Sequence, residues 1–179
     1  MGPGHFVAGL AAKPLVPKVP LLVLLVASEV PDLLYSAFQA VGIENPGVTT
    51  VDFNQGLKVL VPGSTPWSHS LFMCIVWSIL AAAIAYLFYR DRRTSSIIGL
   101  IVFSHWVLDF IVNPGLPLLF EGSPKVGLGL WTTNFPLSMI LDLGLFVVGL
   151  VIYIRWRMKR RSLLKSSTDH AQHNVLLSR

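Results

Sequence analysis

The stretch LFMCIVWSILAAAIAYLFYRDRR, residues 71–93, is an uncharged apolar run followed directly by a basic cluster. Its apolar part, Leu71–Tyr89, is about as long as a helix must be to cross the hydrocarbon of a bilayer, roughly 20 residues. Arg and Lys collect on the cytoplasmic side of membrane helices. The stretch therefore predicts a transmembrane helix that ends at the cytoplasmic surface.

Three more apolar segments lie on either side of this run. Ser95–Val112 and Pro136–Ile154 are each long enough to span the hydrocarbon. Val19–Phe38 begins as an apolar run and becomes polar halfway along, and Pro31 should kink it because proline removes a backbone donor. We interpret this segment as a fourth span whose far end is covered by protein rather than by lipid.

The composition agrees with a membrane protein. Hydrophobic residues make up 53% of the 179 residues and charged residues 13%, against about 25% charged in a typical soluble domain. The formal net charge of +5 comes from basic residues grouped beside apolar segments, which favours contact with anionic lipid and not with nucleic acid. The predicted fold class is therefore an all-α integral membrane protein with four transmembrane helices.

Basic residues mark the orientation of these helices. They occur in RDRR (90–93), in RWRMKRR (155–161) and at Lys13 and Lys18, whereas the other two connections carry only Lys58 and Lys125. The positive-inside rule then places both termini in the cytoplasm.

The connections and the tail differ in composition. The first external connection, residues 39–68, is rich in turn formers and β-branched residues, which fits either a short helix or a hairpin. The second, residues 113–135, contains GLPLLF, an apolar sequence suited to the membrane interface. After Ser162 the chain is polar, so we expect a single transmembrane domain over residues 1–161 and a disordered cytoplasmic tail over 162–179.

Ionisable residues inside these spans fall at similar depth. His105 and Asp109 are four residues apart and share one helix face, and Glu29 and Asp32 are three apart. Counting about 1.5 Å per helical residue from the predicted ends puts the following residues in the external half of the membrane: Asp32, His69, His105, Asp109 and Asp142. Intramembrane ionisable residues are functional candidates, and imidazole with carboxylate is a ligand set for Zn²⁺ or a similar divalent ion.

His5 has two alternative positions. If residues 2–12 fold back into the membrane as a re-entrant half-helix, His5 reaches about the level of His105, at roughly 1.5 Å per residue. If they form an interfacial helix instead, His5 lies in solvent.

The other candidates also have simpler interpretations: His69 as an interfacial hydrogen-bonding residue, and His105 with Asp109 as a structural pair between helices.

Four short motifs occur in a recognisable order: GHFVAG (4–9), VPDLL (30–34), WSHSL (67–71) and SHWVLD (104–109). Over residues 2–112 they resemble the bacterial YdjM-like family, described as LexA-regulated, membrane-bound predicted metal-dependent hydrolases of the inner membrane. Carried over to the matching positions, the resemblance implies that five residues form a metal site: His5, Asp32, His69, His105 and Asp109. Two positions depart from the family pattern, since Leu34 stands where a second Asp is common and Ser64 where a His is common, and this weighs against a two-metal centre.

These observations lead to two functional hypotheses. One is a metal-dependent hydrolase, with zinc as the expected ion, acting on a lipid or membrane-associated phosphate or acyl ester, with Glu29 or Asp142 as general base. The other is a non-enzymatic membrane protein, such as a scaffold, sensor or ion-handling protein, whose His/Asp cluster is structural. Catalytic zinc sites keep a position open whereas structural sites are fully ligated, so the number of converging ligands separates the two.

Overall fold

The computed structural model describes residues 2–45, 47–52, 56–61 and 63–177 as a predominantly helical chain. A 3₁₀ turn, Pro3–His5, runs directly into helix α1, Phe6–Ala12. Helices α2, Leu21–Ser28, and α3, Val30–Ala40, follow as a pair bent by 58°.

The bend between α2 and α3 lies beside the proline that the sequence singled out. The chain breaks at Glu29, whose φ of −107° and ψ of 5° are not helical, and Pro31 lies in the first turn of α3. A proline is tolerated there because the first amides of a helix have no acceptor within it. The kink predicted for Pro31 is thus a helix break two residues earlier.

The first connection contains a hairpin, one of the two alternatives left open by the sequence. Strands β1, Val48–Asp52, and β2, Gly56–Val61, pair in antiparallel register with an irregularity between Val48 and Thr49. The second connection contains a two-residue pair, β3 (Leu116–Pro117) with β4 (Lys125–Val126), and then a short helix α6, Leu130–Thr133.

Helices α4, Leu71–Tyr89, and α5, Arg92–Val112, form the tightest helix pair of the described chain. Ser70 caps α4 by accepting from Met73 N, and Asp91 caps α5 by accepting from Thr94 N. The connection needs only Arg90, which adopts a left-handed φ of 51°, and Asp91.

The last helix, α7, runs from Phe135 to Leu177. Residues 162–177 are therefore helical, and not the structureless tail that polarity predicted. A helix that is already nucleated in the membrane extends residue by residue without a new nucleation cost, and this segment contains good helix formers such as Leu163, Leu164 and Lys165. The division into a domain over 1–161 and a tail stays a prediction.

Within the described residues, three helical segments are long and apolar enough to cross a membrane: Leu71–Tyr89, Arg92–Val112 and Phe135–Leu164. The bent α2–α3 pair makes a fourth if it is counted as one span. The predicted all-α membrane architecture is confirmed. In the most apolar part of Arg92–Val112, 44% of the residues are buried, against 17% in the corresponding part of each of the other two helices. Helix α5 is therefore the central helix.

Helix α1 packs against α2, α5 and α7, in the interior of the bundle. Close approach to α2 depends on Gly9, where an added Cβ would lie 2.6 Å from the backbone oxygen of Leu24. His5 is 1% exposed, so the alternative that placed it in solvent is wrong.

Candidate metal centre

Five side chains that the sequence separates by up to a hundred residues meet at one buried point. Asp109 lies at the centre: its Oδ1 is 3.3 Å from His5 Nε2, and its Oδ2 is 3.5 Å from His69 Nε2 and 3.6 Å from His105 Nε2. Asp32 Oδ1 closes the cluster at 3.1 Å from His69 Nε2 and 3.5 Å from His105 Nε2. Asp32, His69, His105 and Asp109, which the sequence places at similar depth, thus lie together with His5; that they form a metal site stays a prediction.

Helix α5 supplies two of the five residues from its buried face. His105 and Asp109 lie one turn apart and are 1% and 2% exposed. Because both lie on the central helix, side chains of the surrounding segments can reach them while α5 stays regular.

The break between α2 and α3 positions Asp32 and orients His105. Asp32 lies in the first turn of α3, directly after the break. The end of α2 leaves the carbonyl of Ser28 without a helical partner, and His105 Nδ1 lies 2.8 Å from this oxygen. The same break therefore serves both residues.

The N-terminal turn delivers His5, and Asp142 of α7 holds this turn. Asp142 Oδ1 accepts hydrogen bonds from Gly2 N at 3.1 Å and from Gly4 N at 3.0 Å. A carboxylate at the start of a helical turn satisfies amides that have no partner within the turn. This contact makes Asp142 an anchor for His5, while its proposed action as a general base stays a prediction.

Glu29 lies at the helix break, and its Oε1 is buried without a hydrogen-bond partner in the described residues. A buried carboxylate oxygen without a donor is costly and calls for a functional explanation. Glu29 therefore remains a candidate for the general base.

The ring nitrogens of the histidines are arranged as in metal ligands. A carbonyl can only accept, so His105 Nδ1 carries the hydrogen that it donates to Ser28 O, and in the neutral ring Nε2 presents a lone pair to the cluster. Among the described residues, His105 Nε2 and both nitrogens of His5 are buried without a hydrogen-bond partner. His5 Nε2 and His105 Nε2 both face carboxylate oxygens, an arrangement that fits a cation between them.

The separations support the same interpretation. Ligands about 2.0–2.1 Å from a tetrahedral zinc ion lie roughly 3.3–3.4 Å from one another. Four of the five His–Asp separations are 3.3–3.6 Å, longer than an ordinary N–H···O hydrogen bond of 2.7–3.2 Å. Two overlapping groups could each hold a metal ion, one of His5, His105 and Asp109 and one of Asp32, His69 and His105.

Asp32 is the one ligand candidate that reaches the surface. Its side chain is 37% exposed, whereas those of the other four are between 0% and 9% exposed. The cluster therefore opens beside α3, and small molecules could approach it from there.

The two positions that depart from the family pattern add no ligand. Leu34 is apolar and half-buried on α3. Ser64 pairs through its backbone with Asn45 and donates its hydroxyl to Glu121 Oε1 at 3.3 Å. Neither side chain belongs to the two groups of described residues that could hold a metal ion.

Sequence reasoning missed one buried carboxylate beside the cluster. Glu44 is 1% exposed and bonds to Ser68, which in turn contacts His69. It lies in a connection without helical or strand periodicity, so spacing gave no signal for it. A charged residue between turn formers in an otherwise apolar chain was the only available indication.

Comparisons with known proteins identify one family. Residues 1–168 match the family model described as YdjM inner membrane protein. The match extends past the four short motifs into α7. No curated protein and no solved structure matches the chain.

Proposed function

Because the chain belongs to the YdjM inner membrane protein family and carries a buried His/Asp cluster, we propose that it is a membrane-bound metal-dependent hydrolase. The observation that carries this proposal is the convergence of three imidazoles and two carboxylates with orphaned ring nitrogens at 3.3–3.6 Å from carboxylate oxygens. The proposed substrate is a phosphate or acyl ester of a lipid or of another membrane-associated molecule.

Zinc is the ion that suits these donors best. Imidazole nitrogen and carboxylate oxygen are its usual ligands, together with thiolate. When bound, such an ion supplies a Lewis acid that polarises an ester and acidifies water. Each of the two groups offers three protein ligands, which is the number found in catalytic zinc sites.

Side chains of the protein would hold the ion and transfer the proton. His105 presents a fixed Nε2 lone pair, and His69 Nε2 would ligate once the ion replaces its contact with Asp32. Asp109 gathers three histidines around one carboxylate. Water adds to the phosphoryl or acyl centre and the Glu29 carboxylate accepts its proton. The ester bond then breaks, and Glu29 returns this proton to the oxygen of the leaving alcohol. The partner-free Oε1 of Glu29 supports this assignment.

Access from the bilayer supports a lipid-like substrate. The cluster opens at Asp32, and the next residue on α3, Leu33, is 54% exposed. An apolar surface beside a polar opening suits a substrate that is anchored in the membrane by its tails and presents an ester to the site.

A structural metal site is the competing function, and it too rests on an observation. If all five residues ligated one ion, no position would remain for water, as in closed zinc sites. The family membership fits both functions equally.

The deciding experiment combines metal analysis with turnover. The purified protein in phospholipid nanodiscs is expected to contain zinc and to hydrolyse at least one phosphate or acyl ester lipid, with loss of turnover on chelation. His105→Ala and Asp109→Ala should lose both zinc and turnover, since each removes a ligand. Leu100→Ala on the lipid-facing side of the same helix, where Leu100 is 65% exposed, is the matched control.

Two outcomes would count against the enzyme. Wild-type protein that binds zinc but hydrolyses none of the lipids, and that unfolds when zinc is removed, would favour the structural site. Wild-type protein without any affinity for zinc, manganese or iron would reject both functions.

A further inference from the structure

Glu44 is a buried charge outside the ligand cluster, and three hydrogen bonds compensate it. Its Oε1 accepts from Trp67 N at 2.8 Å and from Ser68 N at 2.9 Å, and its Oε2 accepts from the Ser68 hydroxyl at 2.6 Å. A buried carboxylate needs such donors, because desolvation without them is very costly. These bonds join the segment that directly follows α3 to the segment that precedes α4.

The Ser68 hydroxyl contacts both Glu44 and His69. The hydroxyl has one hydrogen, and the Glu44 carboxylate can only accept, so the hydrogen points to Glu44. Ser68 Oγ, which is 2.7 Å from His69 Nδ1, must then be the acceptor, and Nδ1 must be the donor. His69 Nε2 lies within hydrogen-bond distance of Asp32 Oδ1, at 3.1 Å, and 3.5 Å from Asp109 Oδ2. With Nδ1 donating to Ser68, Nε2 is the nitrogen that turns a lone pair to these carboxylates when a cation takes the place of its hydrogen.

We propose that Glu44 is a positioning residue that acts through Ser68 to fix the tautomer and orientation of His69 for metal binding. The inference rests on the proposed metal site. His105 provides a parallel, because Ser28 O fixes it in the same tautomer. Carboxylates that hold a ligating histidine in this way typically change metal affinity 10–100-fold.

The same geometry predicts what an amide would do at this position. In Glu44→Gln the two backbone amides of Trp67 and Ser68 hold the side-chain oxygen, so the new NH₂ group faces Ser68 Oγ. The hydroxyl must then turn its hydrogen to His69 Nδ1. This favours the tautomer with hydrogen on Nε2, in which the ring cannot ligate.

The experiment measures zinc affinity by chelator competition and the ¹⁵N signals of the His69 ring in otherwise wild-type, full-length protein in nanodiscs. Glu44→Gln and Ser68→Ala should each raise the zinc Kd about 10–100-fold. Ser68→Ala is the more specific test, because it removes the contact with His69 while Glu44 still accepts hydrogen bonds from the backbone amides of Trp67 and Ser68. Glu121→Gln is the matched control, since its carboxylate accepts from Ser64 and not from the cluster.

Each result has a distinct meaning. If Ser68→Ala and a folded Glu44→Gln bind zinc as tightly as wild type, Glu44 only holds the turn and the inference is wrong. If wild type binds no metal, the proposed function fails, and the ¹⁵N signals still decide this inference. In that case Nδ1 of wild-type His69 must carry a hydrogen and Glu44→Gln must remove it; an unchanged Nδ1 signal would reject the role of Glu44.

Discussion

Asp142 is a buried carboxylate whose hydrogen bonds hold the N-terminal turn that carries His5. It is 4% exposed, and its Oδ1 accepts two backbone amides of the N-terminal turn. Each buried amide that loses its acceptor costs about 1–3 kcal/mol. Anchoring the turn is thus sufficient to explain a carboxylate at this place.

Substitution of Asp142 separates anchoring from catalysis. Asp142→Asn keeps an oxygen that can accept both amides, so we expect wild-type stability within about 1 kcal/mol and retained zinc. Asp142→Ala should lose about 1–3 kcal/mol and weaken zinc binding, because His5 is released. Chemical unfolding and zinc competition measure both quantities.

The general-base role of Asp142 predicts the opposite for one variant. If Asp142→Asn folds and binds zinc normally but loses turnover, the carboxylate takes part in proton transfer. Equal turnover in wild type and Asp142→Asn would leave Glu29 as the remaining candidate.

Among single residues, the sequence pointed to the members of the His/Asp cluster but not to the groups that hold them in place. His105 and Asp109 could be predicted because one helix turn fixes their relative position. Asp32 and His69 followed from depth in the membrane. Glu44 and the Ser28 carbonyl could not be predicted, because their contacts depend on how an aperiodic connection and a helix break pack against distant helices.

Among the elements, α1 depends on small residues where it crosses α7. A Cβ added at Gly149 would lie 2.9 Å from Val7 Cα and 3.2 Å from Leu10 Cβ. Small residues at helix crossings in membranes allow this close approach. The position of His5 therefore depends on a glycine in α7 as well as on Asp142.

Replacing this glycine should displace α1. Gly149→Val is expected to destabilise the protein by about 1–3 kcal/mol through overpacking and to weaken zinc binding as His5 moves away. Gly144→Val on the same helix is the control, since an added Cβ at Gly144 meets no atom within 4 Å. Thermal unfolding and zinc competition on both variants provide the comparison; equal effects would show that helix propensity, and not the crossing, is responsible.

The elements themselves were predictable to different degrees. Helices α4 and α5 follow from uninterrupted apolar runs with capping residues at Ser70 and Asp91. The hairpin in residues 39–68 and the buried position of α1 required tertiary packing to choose between two local alternatives. The helical continuation of α7 past residue 161 was not predicted, because polarity was given more weight than the cooperativity of an existing helix.

For the whole molecule, apolar side chains face outward along the predicted spans, as lipid exposure requires. Phe88 is 80% exposed on α4, Leu100 65% on α5 and Ile140 68% on α7. Polar residues are instead collected inside, around α5. This inversion of a soluble protein's pattern places the cluster of histidines and aspartates inside the bundle.

The orientation of this bundle is the prediction with the widest consequences. Basic residues in 90–93 and 155–161 should hold these ends in the cytoplasm, so reporter fusions after Arg93 and Arg161 are expected to be cytoplasmic. Fusions near Lys58 and Lys125 are expected to be external. A reporter active only outside and one active only inside should give opposite signals at each of the four positions.

This orientation determines which leaflet would supply the proposed lipid substrate. His69 precedes α4 and Asp109 lies near the end of α5, so both lie at the ends of the helices away from the basic connection. With that connection in the cytoplasm, the cluster lies in the external half of the membrane and lipids of the external leaflet reach Asp32 first. An external signal after Arg161 would reverse the bundle, and the proposed hydrolase would then have to act on lipids of the cytoplasmic leaflet.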